Sequence, residues 1–424
     1  MLKPVWNPFS KYADAFEKKV DHLLSGVNGM GIFEVQRRVS ELMQEDLVKM
    51  NLWLEARFKG YKYLKKGARQ RMYANTEVRK QEFLRYVETV QIHEDAINAN
   101  LKELGLYIPG LPEDKDKLRY LVAIMSFLSP GRGRFEYLAG ASFGKLLSDP
   151  SRHEKMIGDC NQIVTFYTYL YSLRYPVKDL EIKLPKDHVC LSFRGVDIEA
   201  TAGVFANYKD VKKTLPITEL ISTNLLDVSD FRDKQIQVSP KDFLHASELA
   251  FNLASDRELV TRNLKVACQN VMVDALNQND FETAEYFAKK MGDSEEDRIF
   301  LQNIYHNAVV YHVKEKKFPK ARFYLGKSNE NDLRKYVDEQ EGAYEYDNGS
   351  LNKARELFKQ AGNMQMVKAT YAKEYNQLQS RVSGIKDLST MRAHRYDYEK
   401  MLDLARKMED STLIENLNEL LKQL

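Results

Sequence analysis

The feature that most constrains this chain is a change in hydrophobic period. Apolar residues recur every three to four positions along most of its 424 residues, but in LEIKL, HVCLSFR and VDIEAT, between Leu180 and Thr201, they alternate. Short alternating runs bounded by Pro176, Pro185 and Gly195 predict β-strands. On the amino-terminal side, residues 1 to about 108 read as helix nearly throughout, with Val35, Val39, Leu42, Met43, Leu47 and Met50 at helical spacing. YIPGLPEDKD, with two prolines and a glycine, ends that region. A second helical pair is expected next, broken by the turn signal SPGRGR at 129–134, followed by an apolar helix from Cys160 to about Tyr175.

From Ser239 onward the helical period returns and the sequence repeats. Phe281 with Ala284, Phe318 with Ala321, and Leu351 with Ala354 each follow a turn signal, and the large residues stand 37 and 33 residues apart. This approaches the 34-residue tetratricopeptide period, in which a small alanine lets two helices approach and a large residue fills the groove between them. The tail from 380 fits as capping helices. The expectation is a mostly α chain in three regions: helical 1–110, a small α+β core over 111–238, and a tetratricopeptide-like helical solenoid over 239–424.

Composition excludes several classes. No apolar run reaches the roughly 18 residues of a membrane span. The start MLKPVWNPFSKY lacks a basic region followed by an apolar core, so a cytoplasmic location is expected. A net charge of +3 gives no global pull toward nucleic acid. Locally, Arg57 to Lys80 carries nine basic residues against Glu77, interleaved with Phe58, Tyr61, Tyr63 and Tyr73. Such a stretch can track a phosphate backbone, but it reads first as the solvated face of a long helix, and nucleic acid is not the expected partner. Cys160, Cys190 and Cys268 are odd in number and lack CxxC spacing, which argues against a disulfide framework and a structural zinc site.

One of these thiols sits in a telling place. In GDCNQIV, Asp159 is a good N-cap and Gln162 stands three positions on, a variant of the capping box that puts Cys160 at the first helical position. There, unpaired backbone N–H groups and the helix dipole favour the thiolate, while the neighbouring Asp159 carboxylate opposes it. A cysteine nucleophile needs a base, and the base needs an orienting group. His188 leads the strand HVCLSFR, with His188, Cys190 and Ser192 on one face and Val189, Leu191 and Phe193 on the other, apolar face toward the core. His188 then points away from the main apolar packing.

Two carboxylates compete to orient it, Asp197 and Glu199. A two-residue hairpin turn at Arg194-Gly195 would pair Phe193 with Val196, Ser192 with Asp197 and Cys190 with Glu199. Glu199 is then the diagonal neighbour of His188 on the same face, which favours it over Asp197, and a one-residue slip would turn both away. A metal site from Cys160, His188, Cys190 and Glu199 is chemically conceivable but lacks paired short-range ligand spacing. Cys190 is expected to line the same site or pack beneath it, and Cys268 to lie in core. The remaining histidines, His153 among them, show no HExxH or paired spacing.

A helix opening with cysteine, then a strand led by histidine, then a strand carrying an acid resembles the transglutaminase-like fold, a circularly rearranged relative of papain. IEATAG at 198–203 is similar to the acid-Pro-Thr-Ala-Gly ending of that family's third motif, with Glu199 at the acid and Ala200 in place of proline. The resemblance covers about 115–235, and the segment after it is similar to bacterial proteins that join such a domain to tetratricopeptide repeats. It implies Cys160 as nucleophile, His188 as general base and acid, and Glu199 as orienting carboxylate, with no cofactor and no metal. The expected activity is amide hydrolysis or acyl transfer on a protein or peptide recruited by the repeats. The alternative is a non-catalytic scaffold that binds a protein partner through the same repeats.

Overall fold

The computed structural model describes residues 10–107, 111–152, 155–211, 213–227, 237–328 and 330–424. His153, most of the start read for an export signal, and part of the turn at 107–116 lie outside these residues. The described chain is mostly helical with a small sheet region, and it divides into two compact units, Met1–Val271 and Met272–Leu424.

The first unit opens with helices α1 (Ala15–Ser25), α2 (Ile32–Arg57), α3 (Lys66–Thr89), α4 (Glu94–Glu103) and α5 (Pro112–Leu128). Then come β1 (Phe135–Tyr137), the single-turn α6 (Phe143–Leu146), β2 (Met156–Gly158) and α7 (Cys160–Ser172). Five short strands follow, β3 (Glu181–Lys183), β4 (Cys190–Phe193), β5 (Val196–Glu199), β6 (Val204–Ala206) and β7 (Leu215–Pro216), before α8 (Glu219–Leu226) and α9 (Pro240–Leu253). The last five strands form one antiparallel sheet in the order β6-β5-β4-β3-β7, while β1 and β2 pair in parallel.

Helix α7 is the centre of this unit. Ile163, Val164, Phe166, Tyr167, Leu170 and Tyr171 are all buried, so the helix is apolar nearly all round, as a helix must be when neighbours enclose it. It packs on α2, α5, α8 and β4.

Several expectations are corrected. The second helical pair does not form: past the SPGRGR turn the chain makes β1 and the four-residue α6, because pairing with β2 takes up the backbone of Phe135–Tyr137. Nor does the sheet have one apolar and one open face. Cys190, Leu191, Ser192 and Phe193 are all buried, so the alternation records the pleat of an enclosed strand. The strand also starts later than expected, at Cys190, leaving His188 in the turn before it.

The basic stretch from Arg57 to Lys80 is the end of α2, a turn and the first part of α3, not one long helix. Lys59, Arg69 and Arg79 are buried within it. Arg69 forks onto Glu17 of α1, Nε to Oε1 at 2.7 Å and Nη2 to Oε2 at 2.9 Å, and its Nη1 donates to the Leu64 carbonyl at 2.6 Å. Part of the positive charge therefore fastens α1 to α3.

In the second unit, Phe281, Phe318 and Leu351 each begin a helix, at Phe281–Met291, Phe318–Leu325 and Leu351–Ala361. Their partners Ala284, Ala321 and Ala354 are completely buried. The turn before each contains a residue with left-handed backbone, Asn279, Lys316 and Gly349. Successive helices pack on one another, and at Gly342 a Cβ would come 2.9 Å from the Phe358 ring, so this helix crossing is closer than alanine permits. The last three long helices share their own apolar cluster around Tyr375, Leu378, Met401 and Leu417. No helix among the described residues is long and apolar enough to cross a membrane.

Candidate active site

Strand β2 runs straight into α7 through Asp159, and the capping box expected there is complete. The Asp159 carboxylate accepts the N–H groups of Asn161 at 3.0 Å and Gln162 at 3.5 Å, while the Asp159 N–H donates to Gln162 Oε1 at 2.7 Å. Gly158 suits the tight entry, since a Cβ there would meet Leu146 Cδ1 at 2.8 Å and Gln162 Cβ at 3.2 Å and both side chains would have to give way. Cys160 is thereby the first residue of the helix, with 8% of its surface exposed.

The hairpin forms as expected. Arg194 (φ 50°) and Gly195 (φ 81°) are both left-handed, the requirement of a type I′ turn, and Phe193 pairs with Val196, Ser192 with Asp197 and Leu191 with Ile198. Upstream, Asp187 is also left-handed at φ 55°, and the His188 N–H closes a turn on the Pro185 carbonyl at 3.1 Å. This swings the imidazole over the end of β5. His188 Nε2 meets Glu199 Oε2 at 2.7 Å, and Cys160 is near enough to the same ring to act on its charge.

Electrostatics follow from this arrangement. The hydrogen bond with Cys160 is the largest influence on His188 and that with Glu199 the next; together they outweigh burial and raise the imidazole to about 10. Burial would push the Glu199 carboxyl up, but hydrogen bonds from His188, Thr201 and Tyr208 hold it at about 2. The ring is thus an imidazolium and the carboxylate ionised across the neutral range. Asp159 behaves differently: burial, then the nearby Asp227 charge, push it up to about 7 against the N–H bonds of Gln162 and Asn161.

The sequence-predicted residues Cys160, His188 and Glu199 are brought together, and the rival Asp197 is not. Asp197 is buried and turned to Lys183 Nζ at 2.9 Å and the Tyr208 N–H at 2.9 Å. Cys190 is fully buried, and burial pushes its thiol up to about 12. Cys268 is buried. Among the described residues no group of three or more His, Cys, Asp or Glu side chains is placed to hold a metal ion.

Sequence reasoning missed the groups that brace Glu199. The Thr201 N–H donates to Oε1 at 3.1 Å and its hydroxyl to the same oxygen, and Tyr208 Oη donates to Oε2 at 2.6 Å. Thr201 was legible as the threonine of IEATAG. Tyr208 had no local signal, since it lies in irregular chain beyond β6. Missed as well was Asp227, which accepts from Gln162 Nε2 at 2.9 Å and so joins the cap of α7 to the end of α8.

Compared with family models, curated proteins and solved structures, the chain matches none of them.

Proposed function

We propose that this protein is a cysteine-dependent acyl-transfer or amide-hydrolysing enzyme with a transglutaminase-like core, acting on a protein or peptide that its tetratricopeptide-like helices recruit. The observation that carries this reading is His188 Nε2 at 2.7 Å from Glu199 Oε2, with Cys160 the strongest influence on the same ring. A sheet packed on a helix headed by cysteine supports the core assignment. Helices opening on Phe281, Phe318 and Leu351 with buried alanines three residues on support the repeat assignment.

In this reaction the sulfur attacks as the thiolate, with His188 as its proton partner. The thiolate adds to a carboxamide carbonyl, forming the S–C bond while the C=O π pair moves onto oxygen. His188 then gives its proton to the leaving amine as the C–N bond breaks, leaving a thioester. Neutral His188 next takes a proton from water or an incoming amine, which attacks the thioester and expels the sulfur as thiolate. Glu199, fixed by Thr201 and Tyr208, orients the ring and balances its charge throughout.

The rival reading, a binding scaffold without chemistry, draws on the low exposure of Cys160, 8%. Alkylation by iodoacetamide at pH 6 separates the two, with the adduct located by mass spectrometry. A free thiol of pKa about 8.5 is only about 0.3% ionised there. The enzyme reading expects one fast adduct at Cys160, absent in Cys160→Ala and slowed about 10²-fold in His188→Ala. Labelling at the rate of a free thiol, unaffected by His188→Ala, leaves the scaffold.

A further inference from the structure

Tyr137 lies on the strand paired with the segment that leads into Cys160, and it has no part in the mechanism above. It is the last residue of β1, directly opposite Gly158 in the parallel pair with β2, and Gly158 is two residues ahead of Cys160. The following residue, Leu138, donates its N–H to the Gly158 carbonyl at 2.8 Å, so the end of β1 is fastened to the segment that delivers the nucleophile. Yet the Tyr137 side chain is 56% exposed, unlike the fully buried Tyr167 and Tyr171 of α7. A large aromatic residue held by its backbone on the strand that leads into Cys160, and left exposed, is placed to meet a substrate of that cysteine.

The surroundings of its hydroxyl define the role. After its own partial burial, the charge that most raises the Tyr137 phenol is that of Cys160, followed by Asp159, Asp227 and Glu199. The phenol therefore keeps its proton and can donate it in a hydrogen bond. A second donor is present at the sulfur itself. Asp159 caps the N–H groups of Asn161 and Gln162, and no acceptor among the described residues takes the Cys160 N–H.

We propose that the Tyr137 hydroxyl and the Cys160 backbone N–H together form the oxyanion hole of this site. The proposal rests on Cys160 as nucleophile. As the S–C bond forms and the carbonyl π pair moves onto oxygen, that oxygen accepts both hydrogen bonds. Tyr137 transfers no proton, and the pair returns to re-form the C=O bond when the leaving group departs. Donors aimed at developing charge are worth more in the transition state than in the ground state, so Tyr137 acts on rate.

Two probes of the same sulfur test this. Iodoacetamide reacts by displacement at a tetrahedral carbon and forms no oxyanion, whereas p-nitrophenyl acetate acylates through one. Second-order rate constants for both are measured on the full chain and on Tyr137→Phe, with Cys160→Ala as the reference for the nucleophile. The expected result is acylation slowed about 10²-fold in Tyr137→Phe with alkylation within about twofold of the parent. Unchanged acylation overturns the proposal, and so does an equal loss in both reactions, which marks Tyr137 as shaping the site without touching the oxygen. Reactivity retained in Cys160→Ala, or absent with both probes in the parent, instead removes the nucleophile reading, and the oxyanion hole with it.

Discussion

In the unit spanning Met1–Val271, charge goes inside: Glu17, Glu55, Lys59, Arg69, Asp159 and Asp197 are all buried. In the unit from Met272 to Leu424 the buried charges are carboxylates, Glu285, Asp297, Asp338 and Glu341, and no Lys or Arg among the described residues is buried, so cations reach inward to them. Arg322 meets Asp338 at 2.8 Å and Glu341 at 2.7 Å from a side chain 36% exposed, and Lys353 joins Glu341 and Glu345 from one 56% exposed. A stack of helix pairs needs little more than a small residue at each crossing and a large one beside it. A site that must hold an imidazolium between a sulfur and a carboxylate needs neighbours that keep water out and supply hydrogen bonds. The helices that bury those groups must themselves be tied, and the Glu17–Arg69 fork is one such tie.

The contrast is broken most forcefully at that tie. Glu17 is fully buried and accepts from Arg69, Tyr73 and the Ala13 N–H, so Glu17→Ala strands the guanidinium. The expected loss is about 3–5 kcal/mol in urea unfolding followed by probes of the first unit. An effect below about 1 kcal/mol, the range of exposed pairs, would erase the distinction between the two units.

The repeat side is tested by overfilling a crossing. Ala354 is completely buried, and Ala354→Leu is expected to cost about 1–3 kcal/mol in stability of the second unit by the same measurement. No loss there would mean that the 33- and 37-residue spacing does not mark close helix contacts.

The smallest effect is the pH dependence of the His188–Glu199 pair, which is partly open to solvent and so screened. His188 is raised from 6.5 to about 10, so its contribution is fully present below pH 6.5 and fades as pH rises toward 10. Glu199 is lowered from 4.5 to about 2, so its contribution is present above pH 4.5 and is lost as pH falls toward 2. The stability difference between the parent and Glu199→Gln is therefore expected to be widest between pH 4.5 and 6.5 and to narrow on both sides. A difference that grows from pH 7 to 10 would contradict the pairing.

Legibility in the sequence followed the range of the forces involved. The capping box at Asp159–Gln162, the left-handed turn at Arg194-Gly195 and the register Ser192–Asp197 depend on residues a few positions apart, and each was readable from them. The strand β1 was not readable: its three residues are strand only because β2, nineteen or more positions away, offers the pairing edge. Burial of both faces of β4 was likewise hidden, since alternation looks the same whether one face or two are covered. Tyr208 and Asp227 gave no sign, because each reaches the site from irregular chain with no period of its own.

By itself, then, the amino-acid order determined where helices begin, which strands pair within the hairpin, and that Cys160 would sit at a capped helix start. Only the tertiary structure decided that the ring of His188 bonds Glu199 with Cys160 acting on it, that Asp197 turns instead to Lys183, and that Tyr137 stands exposed on the strand paired with Gly158. The physical reason is that caps and turns are closed by neighbours along the chain. Convergence of side chains from α7, the turn before β4 and the end of β5 is set by how an enclosed helix packs on a sheet, which no local pattern encodes.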